Sequence, residues 1–330
     1  MVARDAIRRL PETARDWLVE DVVYIITPEE RCAYLHLTTD QEREQFIGQF
    51  WYRTVDPISL DHDFKTEHYR RMVFANEKYG GQIPGWKTDR GRIYVLFGPP
   101  DSVELVADQR AAGNGANQET ATHLCPAERW HYHRIEGIGE DVTFHFEVVA
   151  RSSDYALAAA DQNVLEQANL NPGLVPVKPE HIHSYGPPRM RFKDLEALLA
   201  AQIVRDQVKF SYRMEFAAAT HATTLARIDI QIPCEACTHE GQAVPSVAYP
   251  LFIRISKPSG WVVDTSELTA DMAMHDASYS GLILAGHLDV PLTPGTYQLA
   301  IATKNAATGE AGSLHTELKV PAYESLTAKN

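Results

Sequence analysis

The chain has 330 residues, of which 44% are hydrophobic and 23% are charged, a composition that predicts a folded protein rather than extended disorder. This length exceeds what one hydrophobic core usually supports, so we expect two domains. The formal net charge of −13 would repel nucleic acid, and no apolar run is long enough for a membrane helix. We therefore expect neither a nucleic-acid partner nor a membrane span.

The N-terminal segment lacks the apolar core of a secretory signal, because residues 1–10 are charged and Pro11 follows them. This pattern predicts either a protein that stays in the cytoplasm or an envelope or secreted protein whose signal was removed. The cysteines are too few and too scattered to predict a disulfide scaffold: Cys32, Cys125, Cys234 and Cys237.

Four helices are predicted before Gly81. Apolar side chains at helical spacing predict the first over Trp17 to Ile25. Two capping boxes, in which a glutamate follows a threonine by three residues, predict helices that begin at Thr27-Pro28-Glu29-Glu30 and Thr39-Asp40-Gln41-Glu42. Asp56-Pro57 would end the third helix, and the fourth is expected from about Asp63 to Tyr79.

A small antiparallel sheet packed on these helices is predicted after Pro84. The apolar run from Arg92 to Phe97 predicts a strand that ends at the following glycine and prolines. Glu128 to Ile135 and Asp141 to Val149 predict two further strands, and the short turn between them predicts a hairpin. The polar segment from Ala107 to His123 predicts a surface loop.

The rest of the chain predicts a linker and an immunoglobulin-like β-sandwich. Seven segments with alternating apolar residues begin near Val208, Thr224, Val247, Trp261, Ser280, Thr296 and Gly312. Tyr297 follows a Pro-Gly turn, as the tyrosine corner of such sandwiches does. The predicted fold class is α+β: helices and a small sheet over residues 1–150, a linker with helical patches over 151–206, and the sandwich over 207–330.

The segment from Ile83 to Asp101, IPGWKTDRGRIYVLFGPPD, is long and therefore specific. It resembles the signature of the bacterial GWxTD-domain family, and the resemblance extends over about Trp17 to Val149. Other segments are similar to family members as well: Asp21 to Glu30, Leu37 to Trp51, Glu67 to Asn76, and Pro126 to Gly139. The resemblance implies a bacterial protein that is commonly exported and in which a β-sandwich follows the GWxTD domain. It implies no biochemical activity. The polar loop after Val106 departs from the family pattern.

Five residues of this string are candidates for a binding surface: Trp86, Asp89, Arg90, Arg92 and Asp101. A tryptophan at a helix-to-sheet junction usually packs, and an aspartate two residues before a glycine, as Asp89 is before Gly91, usually caps a turn. The two arginines either pair with the neighbouring aspartates or receive an anionic partner. We favour the structural interpretation and keep the binding surface as its alternative.

Glu67, His68 and Asp89 are residue types that a general acid–base site needs, and they define the alternative function, a hydrolase or metal-dependent enzyme. No nucleophile motif such as Gly-x-Ser-x-Gly accompanies them. His68 also lies on an otherwise apolar stripe, where a histidine is usually buried and hydrogen-bonded. A pocket that joins the three side chains would favour an enzyme, and apolar packing around them would count against it.

Histidines and cysteines at short spacing are candidate metal ligands. His131 and His133 share one face of a predicted strand, and His181 and His183 have the same spacing, but the sequence places no third ligand. Cys234, Cys237 and His239 form another candidate set, which lacks the second ligand pair usual in zinc sites. We expect no cofactor.

The sequence as a whole favours a non-enzymatic protein. Its expected partners are another protein or a second copy of the chain, because exposed sandwich edges make such association physically easy. The family resemblance adds the expectation of an interaction or structural role in the bacterial cell envelope.

Overall fold

The computed structural model describes residues 6–52, 64–106, 127–135, 138–148, 155–164, 192–234, 238–239, 242–243, 248–272 and 282–323. It divides into two compact units. The first comprises Met1–His183, Ala218–Ala222 and Tyr323–Asn330, and the second comprises Ser184–Ala217 and Thr223–Ala322. The domain boundaries drawn from sequence at residues 150 and 206 stay predictions. Among the described residues, no helix combines the length and apolar character that a membrane crossing requires.

In the first unit, helix α1 (Glu12–Asp16) continues into a π-helical turn over Trp17–Asp21. The predicted helix from Trp17 to Ile25 is therefore wrong in its extent: helical structure begins earlier, ends at Asp21, and gives way to a turn in which Ile25 N and Ile26 N donate to Val22 O. The widened turn lets neighbouring side chains all reach the interior, and Trp17, Leu18, Glu20 and Asp21 are all buried. Trp17 packs against Tyr34, with ring centroids 4.8 Å apart.

Helices α2 (Pro28–Leu35) and α3 (Asp40–Tyr52) begin at the predicted capping boxes. Thr27 Oγ1 accepts a hydrogen bond from Glu30 N, and Glu30 Oε2 accepts one from Thr27 N. Glu42 accepts from the backbone N–H groups of Thr38 and Thr39, and these donors lower its pKa to about 2. Helix α4 (Phe64–Tyr79) confirms the fourth predicted helix, whereas Asp56-Pro57 lies outside the described residues.

The predicted strand from Arg92 to Phe97 is wrong, because Asp89–Phe97 forms helix α5. Thr88 caps this helix: its Oγ1 accepts a hydrogen bond from Gly91 N at 3.1 Å. Gly98, with a φ of 78°, ends it in a conformation that favours glycine. The β-branched and aromatic residues of the run favour a strand by propensity, but the cap and the packing of α5 override that preference.

A four-stranded antiparallel sheet completes the first unit, in the order β1-β2-β3-β4. Its strands are β1 (Ser102–Val106), β2 (Ala127–Ile135), β3 (Gly139–Val148) and β4 (Tyr155–Leu157). The pairing of β2 with β3 confirms the predicted hairpin, whereas β1 and β4 were not predicted. The loop predicted from Ala107 to His123 lies outside the described residues.

The two faces of this sheet differ in chemistry, since side chains alternate along each strand. One face is buried in a core with Ile93 of α5 and carries Trp130, Tyr132, Phe144, Phe146 and Leu157. The opposite face carries His131, His133 and His145, none of which is buried. We call this second surface the outer face.

The second unit contains helix α6 (Lys193–Ala200) and a seven-stranded antiparallel sheet in the order β13-β12-β9-β10-β11-β6-β5. These strands are β5 (Ser211–Ala218), β6 (Thr224–Cys234), β9 (Tyr249–Ser256), β10 (Val262–Met272), β11 (Leu282–Leu292), β12 (Gly295–Lys304) and β13 (Ala311–Val320). A short hairpin of β7 (Thr238–His239) and β8 (Gln242–Ala243) lies between β6 and β9. The chain is therefore α+β, and the seven predicted segments correspond to the seven strands.

The long sheet doubles back on itself through β10, which pairs with β9 along most of its length and with β11 at Asp271 and Met272. Ile228 of β6 and Ile253 of β9 consequently share one core. Helix α6 covers the other side of β9 and β12 with Leu195 and Leu199. The immunoglobulin-like assignment stays a prediction.

The predicted tyrosine corner is confirmed. Tyr297 OH donates a hydrogen bond to Thr293 O at 2.8 Å, so the side chain fixes the turn that joins β11 to β12. Burial raises the pKa of this hydroxyl, which keeps it protonated as a donor.

Candidate functional site

The signature segment forms a tight turn between α4 and α5, and close backbone approaches account for its glycines. Gly85–Lys87 makes one turn of 3-10 helix. A Cβ on Gly85 would lie 1.8 Å from Ala75 O, and a Cβ on Gly91 would lie 1.8 Å from Gly85 O. Any side chain at either position would force the turn away from α4, so these glycines are required by packing.

Trp86 and Asp89 both have structural partners within the first unit. Trp86 is 2% exposed and packs on Tyr24, whose hydroxyl donates to Trp86 O at 3.0 Å. Asp89 Oδ2 accepts a hydrogen bond from Leu157 N at 2.7 Å, which ties the start of α5 to β4. Asp89 thus holds a neighbouring strand, while Thr88 is the residue that caps the turn.

The charged residues of the signature also connect α5 and β1 to the rest of the sheet. Arg90 forms an ion pair with Glu128 Oε1 at 2.9 Å, rather than with Asp89 or Asp101 as predicted. The same guanidinium lies over the Tyr155 ring, 4.0 Å from its centroid. Arg92 lies over Tyr24 at 5.5 Å. These contacts join α5 to β2 and β4, and they leave little of Arg90 for an external anion.

Asp101 acts at the start of β1. Its Oδ2 accepts a hydrogen bond from His133 N at 2.6 Å, and its own N–H donates to His131 O at 2.9 Å. Asp101 therefore fixes the backbone of the β2 segment that carries the two histidines.

Each of the three candidate catalytic residues, Glu67, His68 and Asp89, contacts a different partner. Glu67 Oε1 pairs with Arg71 Nε at 2.9 Å. His68 is buried against Trp51, and its Nε2 donates to Asp21 O at 2.7 Å. Burial lowers the pKa of His68 to about 4, so the imidazole is neutral at physiological pH. Among the described residues, no hydrogen bond of these three side chains joins one of them to another.

The structure describes some of the candidate metal ligands and not others. His181, His183 and Cys237 lie outside the described residues, as do the side chains of Cys234 and His239. His131 and His133, in contrast, lie on the outer face beside Asp141 of β3. The structure thus places a third potential ligand next to the histidine pair that the sequence singled out.

The two edges of the four-stranded sheet are unlike each other. Strand β4 has three residues, and Asp89 already bonds its Leu157 N–H. Strand β1 has five residues and lies at the end of the sheet as far as the structure describes it. Its apolar side chains are open to solvent, with Val103 51% and Leu105 67% exposed. An apolar, solvent-exposed edge is the usual requirement for strand addition.

Residues 7–163 match the family model of the GWxTD domain. This segment, just under half of the chain, is a GWxTD domain. The matched segment contains the signature turn, the four-stranded sheet and the three histidines of the outer face. No curated protein matches this chain.

Solved structures resemble parts of the chain only distantly. A calcium-binding mutant of Bacteroides uniformis beta-glucuronidase 2 is 13% identical, with a TM-score of 0.22, over 35% of this chain and 13% of that chain. The C-terminal domain of wzt is 12% identical, with a TM-score of 0.22, over 36% of this chain and 77% of that domain. The structural genomics target SoR45 is 12% identical, with a TM-score of 0.21, over 36% and 90%. Likenesses at this level carry no argument about activity.

Two features of the GWxTD domain escaped the sequence interpretation. Strand β1 follows two prolines and is short, so its pattern is weak. Asp141 lies at the start of the second hairpin strand, and pairing Ile135 with Gly139 across the predicted turn would have placed it opposite His133. The signal for the third ligand was therefore present in the hairpin register.

Proposed function

We propose that this GWxTD-domain protein is a non-enzymatic interaction protein of the bacterial cell envelope, and that it binds an extended segment of a partner protein along β1. The exposed apolar edge of β1 carries the proposal. Main-chain hydrogen bonds along a free edge supply affinity, and the side chains of alternate residues supply specificity. Val103 and Leu105 provide the apolar contact, while Glu104 is held by Arg129 at 3.2 Å.

The β13 edge of the seven-stranded sheet contrasts with the β1 edge. In the second unit, the segment from Arg205 to Val208 partly covers the edge of β13. Ser313 N donates to Arg205 O at 2.8 Å, and Val208 N donates to Ala311 O at 3.1 Å. A Cβ on Gly312 would lie 2.1 Å from Val208 O, so the cover is closely fitted. Proteins commonly protect sheet edges in this way, and an edge left apolar and exposed is a candidate binding surface.

The contacts of the candidate catalytic residues support a non-enzymatic role. A general base must reach a substrate proton, but His68 is buried and its Nε2 is bonded to a carbonyl. Asp89 and Glu67 hold a strand N–H and an arginine. The envelope location rests on the family resemblance, and fractionation of cells expressing the native gene tests it: recovery with cytosolic markers would contradict it.

Site-specific photo-cross-linking in the native host tests the binding surface. A benzoyl-phenylalanine at Leu105 is expected to give a discrete cross-linked adduct, and the same probe at Trp261, which is 70% exposed in the second unit, is the matched control. Replacing Val103 with glutamate should remove the Leu105 adduct, because a charge on the edge opposes strand addition. Equal adducts at the two positions, or none at Leu105, would overturn the proposal.

Light scattering of the purified chain across concentration and salt then separates the two kinds of partner. A discrete oligomer that Val103→Glu dissociates identifies the partner as a second copy of the chain. A monomer at every concentration, together with a Leu105 adduct of larger mass, identifies another protein.

A further inference from the structure

Three potential metal ligands converge on the outer face of the four-stranded sheet. His131 and His133 are two residues apart on β2, so both side chains leave the same face. Asp141 lies on β3 between the paired positions Tyr132↔Val142 and Arg134↔Glu140, and is therefore opposite His133. In the part of the chain that the structure describes, this is the one group of three such ligands with mutually close atoms.

We propose that His131, His133 and Asp141 form a binding site for a divalent transition-metal ion, with zinc as the ion it takes. This site is independent of the proposed binding edge at β1.

The distances suit such an ion. One ligand atom from each residue lies within 4.8 Å of the others, and His131 Nε2 lies 3.6 Å from Asp141 Oδ1. Zinc binds imidazole nitrogen and carboxylate oxygen at about 2.0 to 2.2 Å, so two of its ligands stand roughly 3.5 Å apart in a tetrahedron. The His131 and His133 rings are nearly perpendicular, with centroids 5.1 Å apart. Small side-chain rotations bring all three ligand atoms to one ion.

The hydrogen bonding of the two imidazoles also suits metal binding. Neither imidazole has a hydrogen bond to another described residue, and the Asp141 side chain is 82% exposed. His287 in the second unit is different, because its Nδ1 lies 2.6 Å from Asp229 Oδ1 and its Nε2 lies 3.5 Å from Asp289 Oδ1. His145 is likewise bonded to Asp161, at 3.0 Å. The pair on β2 therefore differs from the other histidine–carboxylate contacts in having nitrogen atoms available.

The backbone around the ligands supports the same role. Asp141 has a φ of 56°, although the register on both sides of it is regular. A local distortion of this kind re-aims one side chain without shifting the strand, and such distortions are frequent beside functional sites. On the other strand, Asp101 holds His133 N and His131 O. It is a positioning residue for both histidines.

The ligand set indicates the kind of ion. Imidazole favours zinc and the later transition metals, whereas magnesium and calcium require oxygen ligands. Three protein ligands leave a fourth tetrahedral position for water or for a group from another molecule.

Calorimetric titration with zinc chloride tests the proposal on the full chain after dialysis against a chelator. His131→Ala, His133→Ala and Asp141→Ala should each lose one zinc equivalent that the unsubstituted chain binds, or bind it at least tenfold more weakly. The controls are Glu140→Ala, an exposed carboxylate beside Asp141, and His287→Ala, and both should retain that equivalent. Magnesium chloride should give no comparable heat.

Two further measurements keep the result interpretable. Far-ultraviolet circular dichroism in chelator should be the same for all variants, because the substituted side chains lie outside the core. Cobalt can replace zinc as a spectroscopic probe. The cobalt equivalent that the unsubstituted chain binds and the three variants lose should show no thiolate charge-transfer absorption, which distinguishes this site from a cysteine site. An unchanged zinc stoichiometry and affinity in the folded triple variant would overturn the proposal.

Discussion

Replacing His68 with glutamine is expected to remove the loss of stability that the first unit shows between pH 6.5 and pH 4 because of this side chain. His68 is buried, and burial lowers its pKa from 6.5 to about 4 in the folded chain. Because the folded-state value is the lower one, the unfolded chain binds the proton first as the pH falls through 6.5. The contribution of His68 to the free energy of unfolding therefore falls between pH 6.5 and pH 4 and levels off below it.

The size of the effect follows from that interval. Each pKa unit corresponds to about 1.4 kcal/mol, so full protonation of the unfolded state costs the fold about 3 kcal/mol. Glutamine carries an N–H near the position of the histidine Nε2, and it can still donate to Asp21 O, which His68 Nε2 reaches at 2.7 Å. It has no proton to gain in this range, so the His68→Gln variant should lose this part of the pH dependence.

Urea unfolding followed by tryptophan fluorescence at several pH values between 7.5 and 4.5 measures the difference. Trp17, Trp51, Trp86 and Trp130 belong to the first unit, and a Trp261→Phe background removes the signal of the second. His287→Gln is the control, because His287 belongs to the second unit and the remaining tryptophans follow the unfolding of the first. If the unsubstituted chain and His68→Gln lose stability in parallel as the pH falls, the reasoning from burial is refuted.

Three further substitutions test the structural interpretation of the signature and the sandwich. Gly91→Ala should destabilise the first unit by about 1 to 3 kcal/mol in urea unfolding, because its Cβ would meet Gly85 O, whereas Gly48→Ala has open space and should be neutral or stabilising. Asp89→Ala should cost about 1.5 to 3 kcal/mol and increase amide exchange at Leu157, and Asp89→Asn should cost less since it keeps an acceptor. Tyr297→Phe should lower the protection of β12 amides by about 1 kcal/mol. An unchanged exchange rate at Leu157 or in β12 would contradict the corresponding hydrogen bond.

Local signals in the sequence predicted the elements whose determinants are themselves local. The capping boxes at Thr27 and Thr39 fix helix starts through contacts three residues apart, and the structure confirms both. The seven strands of the second unit and the hydrogen bond of Tyr297 follow from alternation and turn residues, which are also local.

The errors arose where distant contacts decide. The run from Arg92 to Phe97 has the composition of a strand, but Gly85 and Gly91 let α5 pack against the turn, and Asp89 joins it to β4. The extent of the first helix failed similarly, because the π-helical turn at Trp17 serves packing against Tyr34. The pattern of a single sequence does not reveal which distant segments will pack together, so it could not predict these elements.

The residues of the signature differ from those of the two proposed binding surfaces in that they contact other parts of the fold. Trp86, Asp89 and Arg90 are engaged by Tyr24, Leu157 and Glu128, so their identity is explained by the architecture they hold. A specific sequence string can therefore mark a fold without marking a site. The surfaces that we propose to bind a partner and a metal ion follow the signature in the chain: they are the apolar edge of β1 and the outer face of β2 and β3. Asp101 connects the signature to the proposed metal site. It is the last residue of the signature, and its hydrogen bonds fix the strand that carries His131 and His133.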